Sequence, residues 1–307
     1  MALYGANSGD ISISRVNGAI NQAILCIRTN VDPVFFKSVW EKHAHYILNT
    51  YLQGGQGNLS ADIVKKIKIT LPPRPEQTKI AAFISRIDER IAIQNKVIED
   101  YITLEKEIHN QMFSQINSPL VPLSELSHRV TERNAELESN NVLTISARDG
   151  LVSQLEFFNK AVASENLSNY YLLRKGDFAY NKSYSSDYPW GAIKHLERYD
   201  TGVLSPLYFC FRPDQQRVDT RYLQFFFDTK LWHKHIAEIA VEGARNHGLL
   251  NMSVGDFYNM PILLPTMSEQ RTIAEKLLAF RKKRVAEESV YALLLQQKQY
   301  LLQKLFI

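Results

Sequence analysis

Two stretches of this 307-residue chain lie on one another 193 residues apart without a gap. Asn58, Ser60, Leu71, Pro72, Glu76, Gln77, Ile80 and Ala81 fall on Asn251, Ser253, Leu264, Pro265, Glu269, Gln270, Ile273 and Ala274. Self-similarity at a fixed spacing marks a duplicated structural unit, so any fold assigned to the chain has to be built twice. Further upstream the match continues after small length changes. Gly18 to Arg28 (GAINQAILCIR) lies on Gly202 to Arg212 (GVLSPLYFCFR), which pairs Cys26 with Cys210. Both segments read as half-buried strands that carry a small core thiol.

A long stretch of helical periodicity follows each repeated Leu-Pro phrase. From Ile80, heptad core positions fall on Ile80, Ile84, Ile87, Ile91, Gln94, Ile98, Tyr101, Glu105, Ile108 and Met112. In the second copy they fall on Ile273, Leu277, Phe280, Arg284, Glu287, Tyr291, Leu294, Lys298, Leu301 and Leu305. This is a coiled-coil seam with polar interruptions, and both helices need a partner. Glu76 and Gln77, like Glu269 and Gln270, fall in the first turn, where a carboxylate meets the positive end of the helix dipole. Pro75 suits the first helical position, and Ser268 can cap the second helix. A helix of roughly 39 residues is about 60 Å long. Two such helices, each following its own globular head, pack antiparallel with the heads at opposite ends, as a spacer with pseudo-twofold symmetry.

The expected organisation is therefore a partial first head at 1–70, a first spacer helix at 71–116, a complete second head at 117–263 and a second spacer helix at 264–307. The fold class is α+β, with mixed α/β heads joined by two long antiparallel coiled-coil helices in a duplicated, pseudo-twofold architecture. Ala2 to Asp10 corresponds roughly to Phe178 to Asp187, so about sixty residues matching Pro119 to Asp177 have no counterpart in the first copy.

Composition narrows the function classes. The charged fraction of 22% and the hydrophobic fraction of 45% are those of a globular protein. No apolar run is long enough to span a membrane, and the first ten residues lack the basic and apolar regions of a secretory signal, so a cytoplasmic location is expected. Two cysteines without a C-x-x-C pair exclude a cysteine zinc knuckle and leave no disulfide framework. The net charge of +4 hints at a polyanionic partner. Residues 1–70 hold seven basic against four acidic side chains, and 264–307 eight against four, but no segment is a basic tail.

Motifs for chemistry are missing. There is no G-x-G-x-x-G, Walker loop or H-E-x-x-H, and the Leu-Pro-Pro phrase lacks the flanking Asn or Asp and aromatic residue of an amino-methyltransferase loop. His233 and His235 sit two apart on a probable helix and point to different faces. Ser146 to Gly150 (SARDG) has no nucleophile elbow. No catalytic residue and no metal ligand is assigned. Two loops can instead read nucleic acid. Residues 170–199 interleave six tyrosines, Phe178 and Trp190 with Arg174, Lys175, Lys182, Lys194 and Arg198, a composition suited to phosphate anchoring and base-edge contacts. The candidates there are Lys182, Tyr184, Tyr188, Trp190 and Lys194. The second loop, Glu242 to Ser253, offers Arg245, Asn246 and His247, and its glycines allow close approach to a phosphate. Its first-copy counterpart is Leu52 to Asp62. Packing tyrosines and an ordinary turn explain the same residues without a ligand.

The order of head, Leu-Pro-x-x-x-Glu-Gln-x-x-Ile, long helix, second head, the same phrase and a terminal helix ending LLQKLF resembles the specificity (S) subunit of type I restriction-modification systems. The resemblance covers essentially the whole chain. It implies a noncatalytic subunit whose two target recognition domains each read half of a split site on double-stranded DNA. It further implies helices that set the gap and dock two methyltransferase (M) subunits, with restriction (R) subunits joining outside. No cofactor is expected on this chain, and S-adenosylmethionine is expected on the M subunits. The first head departs from the family pattern. A truncated or silent variant, a product working with a complementary fragment and a mis-assigned start are three open explanations. The alternative function is an assembly antagonist that binds M subunits without reading a bipartite site.

Overall fold

The computed structural model describes residues 1–5, 7–51, 59–146, 150–158, 166–183, 188–240 and 248–306. The chain divides into two compact units, Met1–Ile102 with Lys282–Ile307 and Thr103–Arg281. The first unit carries α1 (Pro33–Tyr51), α2 (Ala61–Lys66) and the start of α3 (Arg74–Ser114). The second begins on the end of α3 and continues through β1 (Leu120–Pro122), α4 (Leu123–Leu126), β2 (Ser127–Arg129), β3 (Leu143–Ser146), β4 (Gly150–Ser153) and α5 (Gln154–Phe158). Then come β5 (Tyr171–Arg174), β6 (Phe178–Asn181), β7 (Ala192–His195), β8 (Thr201–Leu204), β9 (Phe209–Pro213), α6 (Thr220–Phe227), α7 (His233–Ile239), α8 (Val254–Tyr258) and β10 (Pro261–Leu263). The last helix, α9 (Met267–Leu305), gives its start to the second unit and its end to the first. This is the mixed α+β fold with two long helices that the periodicity predicts.

The second unit is built around a four-stranded sheet in the order β2-β9-β6-β7, with the pairs β5-β8, β3-β4 and β1-β10 beside it. Every one of these ladders is antiparallel. One face of the central sheet packs on α6, α7 and α8 through Phe178, Tyr180, Phe211, Phe226 and Phe257, all nearly or fully buried. The other face carries Ala179 and Cys210 against Val130, Leu143, Leu151, Leu173 and Leu204. This is period-2 alternation used on both sides, which is why the strands read as near-continuous apolar runs.

The first unit has only part of this. Met1–Leu3 and Ala23–Leu25 approach antiparallel through one bridge, Ala2 to Ile24, with Leu3 N–H donating to the Ala23 carbonyl at 2.8 Å and Leu25 N–H to that of Met1 at 2.8 Å. Leu25 and Ile27 turn toward a small core formed by Leu3, Trp40, Ile47 and Leu59. Cys26 is exposed, against expectation, whereas Cys210 is buried. The reason is that the layer covering Cys210 comes from residues 130–204, most of which have no counterpart in the first copy. The second face of the 23–27 segment is bare.

The repeat is visible in individual hydrogen bonds. Ser60 accepts from Ile63 N–H at 3.2 Å and caps α2; 193 residues on, Ser253 accepts from Asp256 N–H at 3.0 Å and caps α8. Asp32 accepts from Val34 and Phe35 N–H and starts α1, as Asp219 does from Arg221 and Tyr222 N–H to start α6. Gln77 Nε2 donates back to the Pro72 carbonyl at 2.8 Å, and Gln270 Nε2 to the Pro265 carbonyl at 2.9 Å. These are local side-chain contacts that fix where helices begin.

Helix starts differ from expectation in two details. Residue 266, not Ser268, caps α9: Glu269 Oε2 accepts from Thr266 N–H at 2.9 Å and Oγ1 at 2.7 Å, with Glu269 N–H 3.4 Å from Thr266 Oγ1, a capping box. That hydroxyl holds the Glu269 carboxyl below its usual range. The counterpart of Thr266 is Pro73, which has no hydroxyl, so α3 starts without a box. Pro75 is the second helical residue rather than the first.

Every heptad position named for the seam is buried or half-buried. In the first unit Ala81 and Ile84 share a core with Leu302 and Phe306, and Gln94 Nε2 donates to Glu287 Oε2 at 2.7 Å and to its backbone oxygen at 3.1 Å. In the second, Ile108, Met112 and Phe113 share a core with Ile273, Ala274 and Leu277. The start of each helix thus meets the end of the other. Gln94 and Glu287 are each other's repeat counterparts, which is the point in an antiparallel duplicated pair where like must meet like.

Candidate nucleic-acid interface

The loop leaving β6 and the segment before α8 come together although 65 residues separate them. Ser183 bridges Leu249 antiparallel, and Leu250 N–H donates to the Lys182 carbonyl at 2.9 Å. The aromatic and basic stretch and the glycine-rich one thus meet at Ser183 and Leu249. Lys182 Nζ lies 4.7 Å from the ring centroid of Phe209, a cation-π contact at the end of the sheet. The return of the loop is shaped by Gly191 at φ +76°, where a Cβ would stand 2.1 Å from the Asn181 carbonyl oxygen. Only glycine closes the loop this tightly.

Around that closure, Tyr188 is 41% exposed, and Trp190 is half-buried against the main core. The Trp190 carbonyl accepts from Tyr180 Oη at 2.9 Å, and burial pushes that phenol well above its ordinary range. Tyr184, Arg245, Asn246 and His247 lie outside the described residues. The segments that hold them, 184–187 and 241–247, flank the bridged residues directly.

Lys194 goes elsewhere. It sits on β7, and its Nζ is 2.7 Å from Asp228 Oδ1. Arg281 Nη2 approaches Asp228 Oδ2 at 2.9 Å, stacks 4.5 Å from the Phe225 ring centroid and lies 3.7 Å from Glu105. Burial alone would raise the Asp228 pKa, but Lys194 and Arg281 outweigh it and hold the carboxyl below the usual range. Nearby, burial lowers the pKa of both His109 and His195. His109 Nε2 hydrogen-bonds the Phe225 carbonyl at 2.7 Å. Lys194 thus ties β7 to the end of α6 through Asp228, and Arg281 ties the same carboxylate to α9.

Arg174 of the same stretch and Arg212 on β9 are paired as well. Arg174 bonds Glu132 at 2.9 Å and Glu138 at 2.6 Å, and Arg212 forks onto the buried Asp177 at 2.7 and 2.8 Å. These pairs close the turn at the start of β6, the end opposite Lys182. Sequence composition could not separate the two ends, because the acids that neutralise Arg174 and Lys194 lie 34–42 residues away. His235 is hydrogen-bonded to the Asp256 carbonyl at 2.9 Å, joining α7 to α8. Among the described residues no group of three His, Cys, Asp or Glu side chains is placed to hold a metal, and no helix is long and apolar enough to cross a membrane.

Such an arrangement, a mixed α+β head followed by a long helix and then the same plan again, defines a class of two-helix spacer proteins with loop-bearing heads. Residues 3–102 match the family model of the type I restriction modification DNA specificity domain. In fold, the chain is similar to the type I restriction-modification S subunit from M. genitalium, at 16% identity and a TM-score of 0.56, over 100% of this chain and 82% of that one. A chain from a structure of complex assembly and conformational transition of the type I R-M system matches at 16% identity and 0.53, over 89% and 70%. The HsdS subunit from Thermoanaerobacter tengcongensis matches at 17% identity and 0.47, over 90% and 70%. The chain is thus similar in fold to type I specificity subunits, and the match to the specificity-domain model falls on its first copy.

Proposed function

We propose that the chain is the noncatalytic DNA-recognition subunit of a type I restriction-modification complex, and that its second head reads double-stranded DNA. The observation that supports this is the Ser183–Leu249 bridge, which pairs the residue before one candidate loop with a residue just after the other. Lys182 supplies a phosphate contact, and Tyr188 with the residues of 184–187 and 241–247 supplies contacts to base edges and sugars. The reading takes Lys194 out of the contact set, because its charge is already neutralised by Asp228. No catalytic chemistry is assigned to this chain. It docks two M subunits, which carry S-adenosylmethionine, and R subunits, and it works in the cytoplasm. The exposed Phe83, Ile93, Leu293 and Tyr300 on the long helices supply apolar surface for such docking.

A second reading has an observation of its own. The first head holds no strand ladder among its described residues, which favours a chain that binds M subunits without reading a split site. Fluorescence anisotropy with duplex DNA decides whether the second head binds. Lys182→Ala with Tyr188→Ala is expected to weaken affinity about tenfold or more at fixed salt, and to lower the salt dependence by roughly one counterion. Equal affinity for the native and altered chains would remove the proposal.

A further inference from the structure

Contacts of one fully buried side chain reach the stems of both candidate reading stretches. Tyr180 lies on β6 one residue before Asn181, and its Oη donates to the Trp190 carbonyl at 2.9 Å. That bond joins the strand entering the first stretch to the backbone leaving it. Asn181 Oδ1 accepts from Ser183 N–H at 3.0 Å on the outgoing side, and Gly191 N–H donates to the Tyr188 carbonyl at 3.2 Å on the returning side. Gly191 completes the closure at φ +76°, with no room for a Cβ beside the Asn181 carbonyl oxygen.

The ring of Tyr180 serves the second stretch. It stacks on Phe257 of α8 at 4.9 Å and 10°, and stands edge-on to Trp232, the residue that begins α7, at 6.2 Å and 87°. Residues 241–247 lie between α7 and α8 in the chain, so the elements on both sides of them meet at this ring. Those elements are also tied to each other, His235 Nε2 hydrogen-bonding the Asp256 carbonyl at 2.9 Å. Beyond the stretch the chain returns to β6, where Leu250 N–H donates to the Lys182 carbonyl at 2.9 Å. A buried phenol packed among Phe257, Trp232 and Phe209 is held in one position, and its hydroxyl passes that position on to residue 190.

We propose that Tyr180 is a positioning residue for sequence reading: its ring and hydroxyl hold the stems of both stretches in one arrangement, and discrimination between DNA sequences depends on it. This rests on the second head being a DNA reader and adds which buried group sets its specificity. Tyr180 itself is buried out of reach of DNA. Base edges are recognised by directional hydrogen bonds, so a small displacement of the stems costs discrimination, whereas attraction to phosphates tolerates it. Lys182, whose amine rests on Phe209, keeps its phosphate contact when the Tyr180 hydroxyl is lost. Another buried tyrosine of the head supplies the contrast. Tyr222 Oη donates to the Leu263 carbonyl at 2.6 Å, a bond that holds α6 to β10 and ends on neither stretch.

The test takes the full chain with Tyr180→Phe, Gly191→Ala or Tyr222→Phe. A duplex enriched by the native chain from a random-sequence pool, and a scrambled duplex of the same length, are the probes in fluorescence anisotropy. Tyr180→Phe is expected to narrow the preference for the enriched duplex about fivefold or more, the cost of roughly one misread base pair. Its affinity for the scrambled duplex and the salt dependence should stay unchanged. Gly191→Ala should narrow the preference at least as far. Tyr222→Phe, which loses a comparable buried bond, should lower the melting temperature as Tyr180→Phe does, by about 2–4 °C, yet keep the full preference. In hydrogen exchange, Tyr180→Phe should speed the amides of Gly191 and Leu250 together. Full preference in Tyr180→Phe, an equal loss in Tyr222→Phe, or faster exchange on one stem alone would overturn the proposal and leave the DNA reading standing. A native chain that enriches no sequence would instead remove the DNA reading, and the proposal with it.

Discussion

The two copies solve the same attachment problem with the same trio of charges and reach it from opposite sequence. In the first, Glu41 on α1 and Asp88 on α3 hold Lys298 of α9 at 3.1 and 2.8 Å. In the second, Asp228 after α6 and Glu105 on α3 hold Arg281 of α9 at 2.9 and 3.7 Å. Across the 193-residue repeat Asp88 corresponds to Arg281 and Glu105 to Lys298, so the signs are exchanged between the long helices while the acid, base, acid order survives. The first long helix supplies the acid and the second the base at both of these contacts. The copies differ where α1 is one helix of 19 residues and its counterpart is broken into α6 and α7. Each acid holds a second cation, Asp228 taking Lys194 from β7 and Glu41 taking Lys37 from its own helix.

Four changes test that comparison, from the largest effect down. Ile84→Asp and its counterpart Leu277→Asp each place a charge in a fully buried seam position and should cost about 4 kcal/mol or more. Urea unfolding followed by circular dichroism reads this. Asp228→Ala strips the partner from Lys194 and Arg281, and a loss of about 2 kcal/mol is expected. Gln270→Leu should cost about 2 kcal/mol and Gln77→Leu about 1, since Gln270 also accepts from Asp219 N–H at 2.8 Å while, among the described residues, the Gln77 side chain makes the Pro72 bond alone. Equal costs would mean the two helix starts are held alike. Thr266→Ala should cost about 1 kcal/mol through the capping box, with Pro73→Ala showing no comparable loss.

Acid should weaken the second unit in a defined order. His109 and His195 have folded pKa values below their unfolded ones, so the unfolded chain binds more protons and stability is lost as pH falls below about 6.5. Asp228 is depressed as well, and its contribution, present above roughly pH 3.9, is lost as pH falls through the lower folded value. Urea midpoints at pH 7.5 and about 5 read the histidine step, and a further one at about pH 2.5 reads the Asp228 step.

Much of this was legible in the sequence because it is periodic or repeated. The heptads from Ile80 and Ile273 named helix faces that are inward throughout. The Leu-Pro phrases marked both helix starts, although the lock proved to be Gln77 and Gln270 reaching back five residues. That lock leaves a signal in the sequence, the same Pro-to-Gln spacing in both copies. Contacts between distant residues were not legible. The pattern of residues 170–199 offered Lys194 and Lys182 as equals, and only the fold shows that one is paired with Asp228 while the other stands at the loop mouth. Cys26 failed because pairing two strands by similarity says nothing about the layer that covers them.

The central claim is that the second head carries DNA reading, and methylation profiling tests it most directly. Cells would express the chain with its methyltransferase subunit, either native or with Lys182→Ala and Tyr188→Ala. The account predicts modified sites that share one constant half-site with the native chain, and loss or relaxation of that half-site in the variant while the complex still assembles. An unchanged methylated sequence in the variant, or no methylation from a stable native complex, would contradict it.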